Sequence, residues 1–184
     1  ANGRILMASE KNLILRARAF VRGQAVSGMA VREFFRMDPL PSLFEGKAGL
    51  RYKYYQGVWR KLPDFARLTP VKTGVAMDFL LKEKQQSTFY TLVFDGYIQV
   101  PETDVYTFFL TSNDGSKLII DDVQTLDHDG LHGMAEKELS LALSAGLHKI
   151  SLHYFQNGGG DGLALEWRPN GQFRRAIDAS LFLH

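Results

Sequence analysis

The sequence predicts an all-β protein, an antiparallel β-sandwich or barrel, on three observations. Aromatic residues make up 12% of the 184 residues, and aromatic side chains favour strands. From residue 49 onward, short apolar segments are separated in most places by Gly, Asn, Asp or Pro, which is typical of strands joined by turns. Only residues 59–66 and 178–183 are helix candidates, and both segments are short. No repeat of fixed period is visible, which disfavours propellers and solenoids.

The first 38 residues predict a short N-terminal β fragment, part of a preceding domain. Apolar and polar side chains alternate over residues 13–20, a turn is predicted over 21–25, and residues 29–35 form a second candidate strand. Two or three strands are too few to be stable alone, so we expect this fragment to pack on the following domain or on another chain. Residues 39–48 are predicted to be a linker, because Pro39 and Pro41 hold the chain extended.

Residues 49–184 are predicted to form the main domain. Strands are predicted over residues 50–55, 75–80, 87–99, 106–112, 117–120, 136–143, 148–156 and 163–168. A chain of this length buries roughly 70% of its unfolded surface, which is enough for a core that needs no disulfide. The sequence contains no cysteine, which excludes disulfides, thiolate catalysis and cysteine-ligated zinc.

Charge and hydropathy exclude two further classes of partner. The chain has 22 basic and 20 acidic residues, a net charge of +2, without the concentrated basic face that nucleic acid requires. No uninterrupted apolar run reaches the roughly 18 residues that span a bilayer. We therefore expect neither nucleic-acid binding nor a membrane span.

The segment Ser112-Asn113-Asp114-Gly115-Ser116 lies between two predicted strands. Asn, Asp and Gly favour a tight turn, and one interpretation is a hairpin turn and nothing more. The other interpretation is that Asn113 and Asp114 present oxygen atoms that hold calcium or the hydroxyl groups of a sugar.

A second polar loop contains Asp127, His128, Asp129 and His132. The four-residue spacing of the two histidines resembles that of a zinc-binding helix, but Gly130 and the missing HExxH glutamate disfavour zinc. A calcium loop of the EF-hand type is also disfavoured, because its ligand spacing and terminal glutamate are missing.

The third loop is Gln156-Asn157-Gly158-Gly159-Gly160-Asp161-Gly162. Its glycines leave the backbone unshielded, so that it can approach a ligand closely. It lacks the lysine and the following helix of a phosphate-binding loop. A flexible hairpin and a ligand-binding loop both remain open.

The sequence shows no catalytic constellation. Ser112 and Ser116 do not lie in a GxSxG motif, and the sequence does not place two carboxylates at the separation that a glycosidase requires. Nothing in the sequence therefore argues for an enzyme.

Residues 49–169 resemble the PA14 domain family, named after the anthrax protective antigen. The matching segments are Gly49-Leu50-Arg51-Tyr52-Lys53-Tyr54-Tyr55 with Gly57 and Trp59; Pro63-Asp64-Phe65; Phe94-Asp95-Gly96-Tyr97-Ile98-Gln99-Val100-Pro101; Tyr106-Thr107-Phe108; Ser112 to Leu118; Ile120-Asp121-Asp122; Asp129-Gly130 with His132-Gly133; Gly146-Leu147-His148-Lys149-Ile150; Tyr154 to Gly159; and Leu163, Leu165 and Trp167. The resemblance implies a β-sandwich that serves as a carbohydrate-binding module in glycosidases, glycosyltransferases, adhesins and toxins.

The resemblance also implies where a ligand binds. In calcium-dependent adhesins of this family, two adjacent aspartates joined by a cis peptide bond hold the metal together with an asparagine from a later loop. The corresponding residues here are Asn113, Asp114 and Asn157, which makes calcium possible with one acid replaced by an amide. The expected carbohydrate-binding residues are Asn113, Asp114, Asp127, His128, Asp129, His132, Asn157, Gly158 and Gly159. A metal-free sugar site is the favoured interpretation, so no cofactor is required.

The N-terminal segment is similar to the last strands of the small β-sandwich at the end of chitobiases and hexosaminidases. Residues 15–20, the Gly23 turn, Ser27 and Glu33-Phe34 carry this similarity. It implies that the parent protein is a bacterial glycoside hydrolase, secreted, periplasmic or at the cell surface, whose catalytic domain is a partner within the same polypeptide. The alternative is a structural or protein-contact module that packs on a neighbouring domain without binding sugar.

Overall fold

A computed structural model describes residues 13–34, 36–39 and 46–184. The protein is almost entirely β. The strands are β1 Leu13–Ala17, β2 Phe20–Val21, β3 Gln24–Ala25, β4 Ala30–Phe34, β5 Arg36–Met37, β6 Leu50–Gln56, β7 Lys72–Ala76, β8 Tyr90–Val100, β9 Asp104–Asn113, β10 Ser116–Ile120, β11 Gln124–His128, β12 Ala135–Leu143, β13 Gly146–Gln156, β14 Gly162–Pro169, β15 Arg175–Ala176 and β16 Phe182–Leu183. Three short 3-10 helices cover Phe65–Arg67, Leu81–Glu83 and Ala179–Leu181.

Two sheets pack face to face, which confirms the predicted antiparallel β-sandwich. The seven-stranded sheet has the order β11-β10-β13-β8-β6-β7, and β16 pairs with β8 as well. The five-stranded sheet has the order β15-β14-β9-β12-β5, in which only the β5–β12 pair is parallel. No helix within the described residues is long and apolar enough to cross a bilayer.

The core lies between the inner faces of the two sheets. Along β14, Leu163, Leu165 and Trp167 are buried and alternate with more exposed side chains, as expected for a strand with one face against a core. Phe94 and Phe108 are fully buried on β8 and β9, the central strands of the two sheets. The apolar spacing seen in the sequence therefore corresponds to these inner faces.

The N-terminal segment contributes two kinds of structure. Strands β1 and β4 form a two-stranded pair, and β2 and β3 form another. Strand β5 instead joins the edge of the five-stranded sheet, where Arg36 and Met37 pair with Ala142 and Leu143. Thus part of the segment predicted as a fragment packs on the sandwich. The domain boundaries at residues 38 and 48 stay a prediction, and Phe35, Leu40, Pro41 and residues 42–45 lie outside the described residues.

Several predicted elements differ from the structure. The strand predicted over 75–80 lies at Lys72–Ala76, and β11 was not predicted, because the polar residues around it were interpreted as loop. Of the helix candidates, residues 59–66 overlap one 3-10 turn at Phe65–Arg67. Residues 178–183 hold the turn Ala179–Leu181 followed by β16. Pairing with β8 favours the strand for Phe182, which is buried against the core.

The strand register gathers one set of loops at a single end of the sandwich. Ser116 of β10 lies opposite His128 of β11 on one side and Tyr154 of β13 on the other. Asn113 at the end of β9 lies opposite Gly162 at the start of β14. The loops that leave these strands are therefore neighbours, although they are far apart in the sequence.

Candidate functional site

The first element of the site is a cis peptide bond between Asn113 and Asp114, in the turn between β9 and β10. The hydroxyl group of Tyr154 donates to the carbonyl oxygen of Asn113 at 2.6 Å. The main-chain N–H of Asp114 donates to Oε1 of Gln156 at 3.0 Å. Two side chains of β13 thus bind both polar groups of this peptide bond, its carbonyl oxygen and its N–H.

The Asp114 carboxylate is the centre of the site and is almost completely buried. Its Oδ2 accepts the main-chain N–H of Asn157 at 3.0 Å, and its Oδ1 accepts the main-chain N–H of His132 at 3.3 Å. One side chain therefore joins all three loops that the sequence analysis selected.

Gln156 supports the glycine-rich loop, which we define as residues 157–161. Its side chain is fully buried. Nε2 donates to the carbonyl oxygens of Gly158 at 3.0 Å and Gly160 at 3.2 Å, while Oε1 accepts the main-chain N–H of Asp114. The same amide group thus holds the cis peptide turn and the glycine-rich loop in a fixed relation.

The acidic loop, residues 127–133, is held mainly through its two aspartates. Oδ1 of Asp129 accepts the main-chain N–H of Leu62 at 2.8 Å. Oδ1 of Asp127 accepts the N–H of Asp129, and Oδ2 pairs with Lys117 at 2.8 Å. The hydrogen bond from Lys117 holds the pKa of Asp127 below its usual value. Both carboxylates therefore organise the loop itself.

The two histidines of the acidic loop stack on each other with ring centroids 4.0 Å apart. His128 is the last residue of β11 and is buried. Its pKa is lowered, mainly by burial and to a smaller extent by the neighbouring His132. Its Nε2 has no hydrogen-bond partner among the residues that the structure describes. His132 is also tied to the loop, since its ring nitrogens contact the carbonyl oxygens of Gly133 and His128.

A fourth loop, residues 57–62, completes the site and was not among the predicted site residues. Nδ2 of Asn157 donates to the carbonyl oxygen of Trp59 at 2.6 Å, and Leu62 contributes the N–H bound by Asp129. The indole ring of Trp59 lies over Gly57, where a Cβ atom would come within 2.6 Å of it. Gly57 and Trp59 are among the residues that carry the family resemblance, and this match was the one indication in the sequence that their loop belongs to the site.

The site is packed on its inner side and open on its outer side. A Cβ atom on Gly115 would come within 2.7 Å of the main-chain nitrogen of Gly130, so the two loops touch through their backbones. In contrast, a Cβ atom on Gly158, Gly159 or Gly160 would meet nothing within 4 Å. The glycine-rich loop therefore exposes its backbone next to a rigid polar base.

The residues implied for calcium do not fit a high-affinity site. Asn113, Asp114 and Asn157 supply one carboxylate, and both oxygens of that carboxylate accept main-chain N–H groups. Asp127 and Asp129, the two acids of the acidic loop, are bound by Lys117 and by main-chain N–H groups. Among the described residues no three His, Asp or Glu side chains are grouped to hold a metal ion. Calcium prefers six to eight oxygens with several charges among them.

The chain is a β-sandwich in which four loops meet at one end. The sequence model for the family described as "PA14 domain" matches residues 27–180. The chain belongs to the PA14 domain family.

Three relatives show what the chain is similar to. The anti-sigma-I factor RsgI3 of Acetivibrio thermocellus is 27% identical over 139 residues, which are 72% of this chain and 21% of that protein. A solved structure of an anti-sigma factor domain-containing protein from Clostridium clariflavum has a TM-score of 0.60 at 24% identity, covering 78% of this chain and 50% of that one. The PA14 sugar-binding domain from an RTX adhesin has a TM-score of 0.63 at 16% identity, covering 74% and 98%. The chain thus spans about a fifth of the curated relative and half of the anti-sigma structure.

Proposed function

We propose that this protein is a non-catalytic carbohydrate-binding module that holds a glycan at the four-loop end of the sandwich. The observation that carries the proposal is the pair of hydrogen bonds from Asn157 and His132 to the Asp114 carboxylate, which brings the selected loops together. Sugar hydroxyl groups both donate and accept hydrogen bonds. The amides of Asn113 and Asn157 and the backbone of the glycine-rich loop, in which Gly159 is exposed, offer both kinds of partner.

The fold of the adhesin domain supports this function, because that domain is described as sugar-binding. Within the loops, Trp59, whose carbonyl oxygen is bound by Asn157, supplies an aromatic ring, and an aromatic ring packs well against the apolar face of a sugar. In our proposal Asp127, Asp129 and the buried His128 shape the site, whereas Asn113, Asp114, His132 and the glycine-rich loop border the sugar.

Two parent proteins fit such a module. The similarity of the N-terminal segment to the chitobiase-type sandwich favours a glycoside hydrolase, with its catalytic domain as partner. The anti-sigma factor relatives favour a second context, in which the module detects a glycan for a regulatory protein. In either context, we propose that the module acts where polysaccharide is present: secreted, periplasmic or at the cell surface.

A glycan array followed by calorimetry tests the proposal against the alternative of a protein-contact module without sugar binding. The wild type is compared with Asp114→Asn, which keeps the shape of the side chain but removes one acceptor and the charge. Asp122→Asn is the matched control, because Asp122 is an exposed aspartate that pairs with Lys149 on the opposite end of β13. Its φ of 58° is one that asparagine tolerates.

We expect the wild type and Asp122→Asn to bind the same glycans and Asp114→Asn to bind at least about tenfold more weakly, equivalent to roughly 1.4 kcal/mol. Thermal melts of all three proteins establish that they are folded. A wild type that binds no glycan would favour the contact module, and equal binding by Asp114→Asn would place the sugar elsewhere.

A further inference from the structure

Phe89 combines two properties that rarely occur together. Its φ of 60° lies in the left-handed region, which is strained for a bulky residue. Its side chain is 43% exposed, so the ring contributes little to the core. Among the described non-glycine residues, Arg22, Asp121 and Asp122 are the others with positive φ, and none of these is aromatic. Folding alone gives no reason for an aromatic residue at this position.

The backbone of Phe89 is fixed from both sides. Its carbonyl oxygen accepts the main-chain N–H of Gly57 at 2.9 Å and Nε2 of Gln86 at 2.7 Å. The next residue, Tyr90, is fully buried and donates its hydroxyl hydrogen to Oδ2 of Asp161 at 2.7 Å. The backbone at Phe89 is therefore already ordered before a ligand binds, and it holds the ring towards solvent.

The main-chain segment that carries Phe89 is connected to the four-loop site. Gly57 belongs to the loop whose Trp59 carbonyl is bound by Asn157. Lys84, at the other end of the segment that carries Phe89, pairs with Asp161, the last residue of the glycine-rich loop. Residues 84–89 are thus tied to two of the loops that surround the proposed sugar.

We propose that Phe89 forms a second sugar subsite, so that the ligand is an oligosaccharide of at least two residues and not a single sugar. This inference rests on the proposed function. The first residue lies over the loops around Asp114, and the apolar face of the next residue packs on the Phe89 ring. A rigid aromatic ring is suited to this role because little conformational entropy is lost on contact.

Calorimetry with matched short and long sugars tests this subsite. The probes are galactose with lactose, and N-acetylglucosamine with chitotetraose. Phe89→Asn removes the ring and keeps the backbone, since asparagine tolerates positive φ, and Phe89→Tyr keeps the ring. In the series that binds, we expect the wild type and Phe89→Tyr to bind the longer sugar at least fivefold more tightly than the monosaccharide. Phe89→Asn should lose that advantage with its monosaccharide affinity unchanged.

Three results would overturn the subsite: equal wild-type affinity for short and long sugars, an undiminished advantage in Phe89→Asn, or a parallel loss of monosaccharide binding in that variant. The stability of Phe89→Asn separates contact from folding, because relief of the backbone strain should leave its melting temperature equal or higher. Wild-type protein that binds none of the four probes would count against the proposed function and would reject the subsite with it. Sugar binding with no chain-length effect would reject the subsite alone.

Discussion

The main-chain N–H of Asn157 donates to Oδ2 of Asp114 at 3.0 Å, although the two residues lie 43 positions apart in the sequence. Asp114 follows the cis peptide bond, and Asn157 begins the glycine-rich loop. Gln156, the residue before Asn157, binds the N–H of Asp114 in return. The two loops are therefore joined in both directions and should respond to substitution as one unit.

Replacing Gln156 with leucine should destabilise this unit. The volume stays similar, but the N–H of Asp114 and the carbonyl oxygens of Gly158 and Gly160 lose their partner. An unsatisfied buried group costs about 1–3 kcal/mol, so we expect the free energy of unfolding to fall by about 2–4 kcal/mol and glycan binding to be lost. Urea titration measures the first effect. Gln99→Leu, at a partly buried position on β8, is the control and should change stability by less than about 0.5 kcal/mol.

Calcium should bind weakly. The site offers one carboxylate, already engaged by two N–H groups, and calcium affinity rises with the number of charged ligands. We expect a dissociation constant no tighter than about 10⁻⁴–10⁻³ M in a calorimetric titration, and glycan binding that persists with a chelator. Micromolar affinity that is abolished in Asp114→Ala would show that the metal contributes to the site.

The edge strand β5 should stabilise the sandwich. Met37 accepts the N–H of Ser144 at 3.1 Å, and Pro39 packs so closely on Gly146 that a Cβ atom there would come within 2.5 Å. A chain beginning at residue 46 should therefore unfold about 1–2 kcal/mol more easily than one beginning at residue 36, given roughly 0.5–1.5 kcal/mol for each net hydrogen bond. Equal urea midpoints for the two chains would show that β5 adds nothing to the stability of the sandwich.

Stability should decrease as pH rises through the pKa of His148. This residue is fully buried, with Nδ1 2.6 Å from Oδ2 of Asp121 and Nε2 2.9 Å from the carbonyl oxygen of Ser144. Burial alone would lower the pKa of His148, but the hydrogen bonds to Asp121 and Ser144 outweigh it and raise the pKa above its ordinary value of 6.5. A raised pKa in the folded state gives stability that is fully present below about 6.5 and lost above the folded-state pKa.

Unfolding measured from pH 6 to pH 9 checks this expectation. The wild type should lose stability over this range, and His148→Gln should show a flatter profile, because glutamine does not titrate. Asp121→Asn removes the partner at a φ of 51° that asparagine accepts, so it should flatten the profile as well. An identical slope in all three proteins would contradict the role of the pair.

Strand positions could be predicted largely from the sequence, because most strands show apolar side chains at the positions that are buried. Leu163, Leu165 and Trp167 alternate in the sequence and lie buried in the structure. The strand β11 was not predicted, because its residues are mostly polar. Its conformation is fixed by pairing with β10 and not by its own composition. Long-range pairing of that kind is not visible in a local pattern.

The candidate site could be predicted only in part. Asn113, Asp114 and Asn157 were selected through their chemistry and the family resemblance, and the structure brings them together. The sequence did not indicate that the carboxylates of Asp127 and Asp129 would accept hydrogen bonds from their own loop and from Leu62. Trp59 and Phe89 were missed because an aromatic side chain looks the same in a sequence whether it lies in the core or beside a ligand.

The position of β5 determines how far the four loops lie from the point where the chain enters the sandwich. Met37 pairs with Leu143 at one end of β12, and Ala135, at the other end, lies opposite Ser112 beside the four loops. The nine residues of β12 span roughly 30 Å at about 3.3 Å per residue. A tether that enters through β5 would therefore carry the module with its loops facing outward, and the sandwich itself would act as a rigid spacer between the tether and a polysaccharide surface.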